Sequence, residues 1–328
     1  MRERYLDIVK GISILCITLE HYVKDFFPQE FNIFLGSFMI TAFYVTSGWI
    51  SAMHPSRRSI KELVKKRWKQ LGIPYLWWTF IILIFDLILF GFGYYDVLYI
   101  FKEIYKTVTL RGIGTLWFLP ALFGGEIIWY WLKNQNKKWI IGLAFIGSMF
   151  YIHFYNEILG HQTETIFRII DAPFQSLNNI LKAWIAISFG YYAFKFVKVS
   201  NSTAIRQFLL GLVLFICSFF LANFLPYNIS FLWYLLAPLL GPLGLIIMIR
   251  PIQNLQLFNY FNFWGINSLT LMVTHYSIIM VLFIIIIENF FHCNYSGIIT
   301  LLCFIFSMPI QYYLSLFINK YIKFTLGK

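Results

Sequence analysis

Residues 4–21 read RYLDIVKGISILCITLEH. The run has the length and apolar content of a first membrane-crossing helix, yet it contains Asp7, Lys10 and His21. An ionisable group at membrane depth costs roughly 2.5–3.5 kcal/mol even on the lenient insertion scale, so such groups face a cavity or a partner. At about 100° per residue, Asp7, Lys10, Thr18, His21 and the following Asp25 fall within one sector of about 80°, and Glu20 points elsewhere. A polar stripe with a cation near one end and a histidine near the other reads as one wall of a reaction chamber.

Working outward, the composition makes the whole chain a polytopic, all-helical membrane protein. It has 328 residues, 59% hydrophobic and 12% charged, with a mean hydropathy of +0.70. A soluble domain carries roughly 25% charged residues, about twice that share. Spans need about 20 mainly apolar residues. About ten such segments occur, near residues 5–24, 33–53, 73–92, 113–132, 139–155, 179–197, 206–225, 230–249, 265–287 and 297–319. No linker, low-complexity tract or internal repeat divides them, so a single integral membrane domain over 1–328 is expected. The first segment lacks a small-residue cleavage site and carries charges, which argues for a retained helix over a signal peptide.

The net charge of +12 raises the question of a nucleic-acid partner, and its distribution answers it. With odd-numbered spans running outward, 20 of the 26 Lys and Arg fall in or beside cytoplasmic segments, seven of them in 57–69. That asymmetry is the positive-inside bias, so the charge reports topology, with both termini cytoplasmic and no nucleic acid bound. Cys16, Cys217, Cys293 and Cys303 show no paired spacing and read as small buried hydrophobes, with no metal and no disulfide.

The first cytoplasmic loop, PSRRSIKELVKKRWKQLGIPY (55–75), is the longest basic segment. Its centre reads as an amphipathic helix with Ile60, Leu63, Val64 and Trp68 on one face, a pattern that also suits a helix lying on anionic lipid headgroups. Pro74 is read as restarting the chain for the third span. Residues 94–112 form a second amphipathic stretch on the outer side, and 156–178 reads as the longest polar loop.

Five motifs in order resemble the membrane-bound acyltransferase family 3. They are D-x-x-K-G-I-x-I followed by His21, FYVTSGW (43–49), KKRWKQLGIPYLWW (65–78), GTLWFLPALF (114–123) and NSLTLMVTHYSII (267–279). The first contains the family's basic-x10-His pattern as Lys10 and His21. Gln70 departs from the family's basic loop, which often carries a second cation there, with Lys69 beside it as a substitute. The resemblance implies a bacterial inner-membrane enzyme that moves an acetyl or short acyl group from acetyl-CoA to a hydroxyl of a cell-envelope glycan or lipid-linked sugar.

Acyl transfer from a thioester to a hydroxyl needs a base, and histidine has the right pKa near neutrality. His21 is the leading candidate, with Asp25, one turn on, to orient its ring and stabilise the imidazolium. The competing reading of His21 is a structural hydrogen bond between helices. Lys10 suits a coenzyme A phosphate, unless it serves only an i, i+3 pair with Asp7. Arg67, with Lys66 and Lys69, would add charge-assisted contacts. Asp7, Ser47, Trp117 and His275 are candidate site-lining residues, with helix packing as the alternative for the last three. A transporter or flippase, or a structural subunit of a glycan-assembly complex, are the rival functions. The lack of a paired, broken-helix inverted repeat counts against the transporter.

Overall fold

The computed structural model describes residues 3–23, 26–55, 59–159, 165–197, 203–225 and 230–328. Among these residues every regular element is helical. The α-helices are α1 (Arg4–Val23), α2 (Gln29–Phe38), α3 (Thr41–Met53), α4 (Ile60–Arg67), α5 (Ile73–Gly91), α6 (Val97–Val108), α7 (Phe118–Lys133), α8 (Trp139–Phe154) and α9 (Thr165–Phe196). They continue with α10 (Ala204–Phe224), α11 (Ser230–Ile252), α12 (Phe258–Ile266), α13 (Ser268–Thr274), α14 (Val281–Ile285) and α15 (Ile298–Tyr321). Six described stretches are long and apolar enough to cross a membrane: Gln29–Met53, Ile60–Gly91, Trp139–Ile158, Ala204–Phe224, Ser268–Phe290 and Ile298–Tyr321. The other expected spans coincide with α1, α7, α9 and α11, of which α1 carries Arg4, Asp7, Lys10 and Glu20, and α7 has 16 residues.

The chain divides into two compact units. The first comprises 1–56, 186–275 and 280–315; the second comprises 57–185, 276–279 and 316–328.

In the first unit the glycines of the motifs act as contact points. A Cβ at Gly11 would stand 1.8 Å from the carbonyl oxygen of Phe261, and one at Gly265 would stand 1.7 Å from that of Asp7. Helices α1 and α12 therefore touch backbone to backbone, the close approach that small residues permit in membranes. The FYVTSGW motif has the same explanation, since a Cβ at Gly48 would meet the Ile187 carbonyl oxygen at 1.9 Å.

Three sequence expectations change in the second unit. First, α4 does form, with Ser59 and Glu62 making a reciprocal capping box, but it neither ends at Pro74 nor forms a separate surface helix. Residues 60–91 are one continuous helix carrying a wide π turn over Trp68–Gly72. Proline lacks an N–H and its ring crowds the carbonyl four residues back, and a widened turn accommodates both defects without breaking the helix. Second, residues 156–178 are not a loop from end to end. Helix α9 starts at Thr165 and runs 32 residues with Pro173 inside it. Third, the stretch 94–112 folds back along α5. The Tyr75 hydroxyl donates to the Thr107 carbonyl (2.9 Å), and Leu110 lines one apolar cavity with Trp68, Gly72 and Tyr75.

Candidate active site

In the first unit, α1 brings His21 to within 3.0 Å (Nδ1 to Nε2) of His275. Their ring centroids are 5.2 Å apart. His275 is fully buried, and its Nδ1 lies 2.7 Å from the Leu271 carbonyl oxygen. A carbonyl oxygen only accepts, so Nδ1 of His275 carries the proton. With both rings neutral, Nε2 of His275 then accepts, and Nδ1 of His21 must donate to it. The lone pair of the His21 imidazole is thereby assigned to Nε2. The Tyr22 hydroxyl donates to the His275 carbonyl (3.3 Å), which ties α1 to the same turn. Thr274 donates to Gln311 Oε1 at 2.6 Å and anchors that turn against α15.

His275 opens a π turn over His275–Met280 inside an otherwise apolar stretch. Such wide turns concentrate at functional sites because they offset the side chains that follow. His21 itself is half-buried, which suits a group that must be reached by a substrate. Asp25 lies outside the described residues.

The other polar residues of α1 are also placed. Lys10 Nζ sits 2.7 Å from Asp7 Oδ1, with the lysine side chain 22% exposed and the aspartate 4%. The i, i+3 pair read as an alternative for Lys10 is therefore present. Ser47 is half-buried on α3, one residue before the Gly48 contact.

In the second unit Arg67 is not an exposed loop cation. It forms an ion pair through Nε with Glu126 of α7, and its Nη1 donates to Gln70 Oε1 at 2.8 Å. Glu126 is 6% exposed. Gln70, where the family pattern often has a second cation, instead helps to hold the first one. Lys66 and Lys69 are exposed on the same helix. The C-terminal turn Lys323–Leu326 packs beside them, since a Cβ at Gly327 would meet the Lys69 carbonyl oxygen at 1.8 Å. Trp117 ends a short 3₁₀ turn, Gly114–Trp117, and is half-buried.

The site candidates thus resolve into His21 with His275, Asp7 with Lys10, and Arg67 with Glu126 and Gln70. Glu126 escaped the sequence reading. An acid alone in an apolar stretch was the available signal for it. Among the described residues, no group of three or more His, Cys, Asp and Glu is arranged to hold a metal ion.

No match to a curated protein or to a solved structure was found. A family model described as an acyltransferase domain matches residues 3–324. That match covers nearly the whole chain and includes all five motifs and both histidines, so the chain belongs to acyltransferase family 3, a family of membrane acyltransferases.

Proposed function

We propose that this membrane acyltransferase takes an acetyl or similarly short acyl group from coenzyme A and transfers it to a hydroxyl of a cell-envelope glycan or lipid-linked sugar. It would sit in a bacterial inner membrane with about ten spans and both termini cytoplasmic. The observation that carries this reading is the 3.0 Å contact between His21 Nδ1 and His275 Nε2, which, with the Leu271 carbonyl on His275 Nδ1 and both rings neutral, makes Nε2 the basic nitrogen of His21.

Nε2 takes the acceptor hydroxyl's proton as that oxygen attacks the thioester carbonyl. The tetrahedral oxyanion collapses, the C–S bond breaks, and the imidazolium returns its proton to the leaving thiolate. His275 takes, at Nδ1, the orienting place that a triad aspartate takes, and Asp25 would stabilise the imidazolium from one turn away. Lys66 and Lys69 would meet the donor's phosphates, with Arg67 held in a fixed orientation by Glu126 and Gln70. Lys10, Asp7, Ser47 and Trp117 are assigned to donor binding or to the chamber wall.

Along α1, Lys10 and His21 are eleven residues apart, about 16–17 Å at roughly 1.5 Å per residue. That is about half of the ~30 Å hydrocarbon core. A donor whose phosphates rest near Lys10 would present its thioester near His21, so the acyl group would leave on the outer side.

Sealed inverted vesicles test both the reaction and its direction. Acetyl-CoA is added outside, the glycan is confined to the lumen, and free thiol and ester are scored. Thiol release with ester on lumenal glycan is expected. Ester only on glycan placed beside the coenzyme A would defeat the transmembrane arrangement. No thiol release with either placement would defeat the acyltransfer reading and favour a transporter.

A further inference from the structure

The second unit holds a polar cluster that the mechanism above does not use. Asp86 of α5 and Glu103 of α6 are each 2% exposed. Glu103 pairs through Oε1 with Lys106, and its Oε2 is buried without a hydrogen-bond partner. Asp86 lies within electrostatic reach of Glu103 and Lys106, yet its Oδ2 is likewise buried and unpartnered. Beside them the rings of Tyr95 and Tyr99 stack with centroids 4.0 Å apart and planes 19° apart, both half-buried.

Arg111 lies within electrostatic reach of Glu103. Burial lowers the Arg111 guanidinium below the usual arginine value, although Tyr155, Asp171 and Glu103 act to raise it. Arg111 donates to Gln175 of α9, and Tyr155 donates to Asp171 Oδ2 at 3.1 Å. Asp171 Oδ1 is a further buried oxygen without a partner.

A buried carboxylate oxygen left unpaired is costly, and more so in a membrane protein. Several of them around one lysine and one arginine mark acceptor sites awaiting donors. The chemistry of the absent donor can be narrowed. An anion is disfavoured by the carboxylates. A purely apolar group leaves the oxygens unpaired. A neutral polyhydroxylated ring satisfies all the parts, because each hydroxyl both donates to a carboxylate and accepts from an ammonium. Its apolar C–H face can rest on a tyrosine ring.

We propose that Asp86, Glu103 and Lys106, flanked by Tyr95 and Tyr99, form a binding site for a sugar ring. The proposal rests on the acyltransfer reading only in taking that sugar to be the acceptor. Asp86 Oδ2 and Glu103 Oε2 accept from two hydroxyls, Lys106 donates to a third oxygen, and the exposed tyrosine face stacks on the ring.

Saturation-transfer NMR on the detergent-solubilised full chain tests it, with methyl glycosides of glucose, galactose and N-acetylglucosamine as probes. At least one glycoside should bind to the wild-type protein. Asp86→Asn and Glu103→Gln should each weaken binding about tenfold or more, as expected for loss of a hydrogen bond to a charged group. Tyr99→Ala should weaken it as well, while Tyr99→Phe, which keeps the ring face, should bind as wild type does. Thermal unfolding of each variant separates lost binding from lost fold. Absence of binding by all three glycosides overturns the proposal, as does undiminished binding in folded Asp86→Asn and Glu103→Gln proteins. His21→Ala separates the two readings, because that variant should lose acyl transfer and keep glycoside binding. Binding that depends on Asp86, in a protein that never releases thiol, would uphold the sugar site and sink the acyltransfer reading.

Discussion

In the first unit His21 and His275 meet ring to ring, and with both rings neutral the Leu271 carbonyl oxygen on His275 Nδ1 sets the direction of the hydrogen bond between them. In the second unit Arg67 and Glu126 meet as opposite charges, with the arginine side chain 28% exposed and the glutamate 7%. Both arrangements remove ionisable groups from lipid, but they differ in what they can do next. The neutral chain keeps a base whose proton inventory can change by one. The ion pair is held by charges that must both persist, which makes it a rigid fixture for Lys66 and Lys69 around it. The proposed mechanism places its chemistry on the first and donor positioning around the second.

The largest expected effect removes the base. His21→Ala should lower acyl transfer by roughly 10²–10⁴-fold, the usual contribution of a general base, with size-exclusion behaviour and melting unchanged. Turnover near the wild-type rate would take His21 out of the mechanism and leave it as a helix-packing residue. Asp25→Asn should give a smaller loss of turnover with donor affinity preserved, and a wild-type rate would make Asp25 a helix-end residue only.

Breaking the charged pair should act on stability. Glu126→Ala strands Arg67, and removal of one partner of a buried pair costs about 3–5 kcal/mol. Because Arg67 is partly exposed, the lower end of that range is expected, read as a large fall in the melting temperature in detergent. The double variant Glu126→Leu with Arg67→Met should recover most of the loss, since well-packed apolar replacements of a buried pair are often neutral. A single Glu126→Ala change that leaves the melting temperature unmoved would show that the pair contributes nothing to the fold.

A third test sharpens the assignment of His275 as a positioning residue. His275→Leu leaves the His21 Nδ1 proton without its acceptor, and turnover should fall about 5–150-fold, the equivalent of a hydrogen bond of ~1–3 kcal/mol. His275→Gln restores an acceptor oxygen on that side and should recover part of the rate. Equal rates in the two variants would mean that volume, not the hydrogen bond, explains the residue.

The sequence showed the helices and half of each pair. Six of the expected spans fall in helical stretches long and apolar enough to cross a membrane, because apolar runs of that length have few alternatives in lipid, and the other four coincide with α1, α7, α9 and α11. What hydropathy missed are helices whose polar faces are satisfied by protein. The polar residues of 156–178 read as a loop, yet Asp171 accepts from Tyr155 and Gln175 from Arg111 within the fold. Likewise 94–112 reads as an amphipathic stretch on the outer side, because nothing local indicates that Thr107 returns to Tyr75. His21 was legible as an ionisable group in an apolar run. Its tautomer was not, because a backbone carbonyl 250 residues further along sets it. Arg67 was legible as a cation and hidden as a pair, since its partner Glu126 lies in another helix.

The smallest expected effect concerns the cations that neither pair absorbs. Lys66 and Lys69 are exposed, and exposed charges contribute little individually. Lys69→Ala should weaken coenzyme A binding by no more than about fivefold, and Lys66→Ala by a similar factor. Raising the salt from about 0.1 M to about 1 M shortens the screening length from ~10 Å to ~3 Å. The wild-type affinity should therefore fall toward that of the double variant, and the double variant should respond to salt only weakly. Lys10→Ala should behave differently. Lys10 is mostly buried against Asp7, so its contribution to donor affinity should persist at high salt. Isothermal titration with coenzyme A at both salt concentrations distinguishes these cases. Affinity that is the same for wild type and all three lysine variants would leave these cations as markers of membrane orientation, with the donor's phosphates bound elsewhere in the chain.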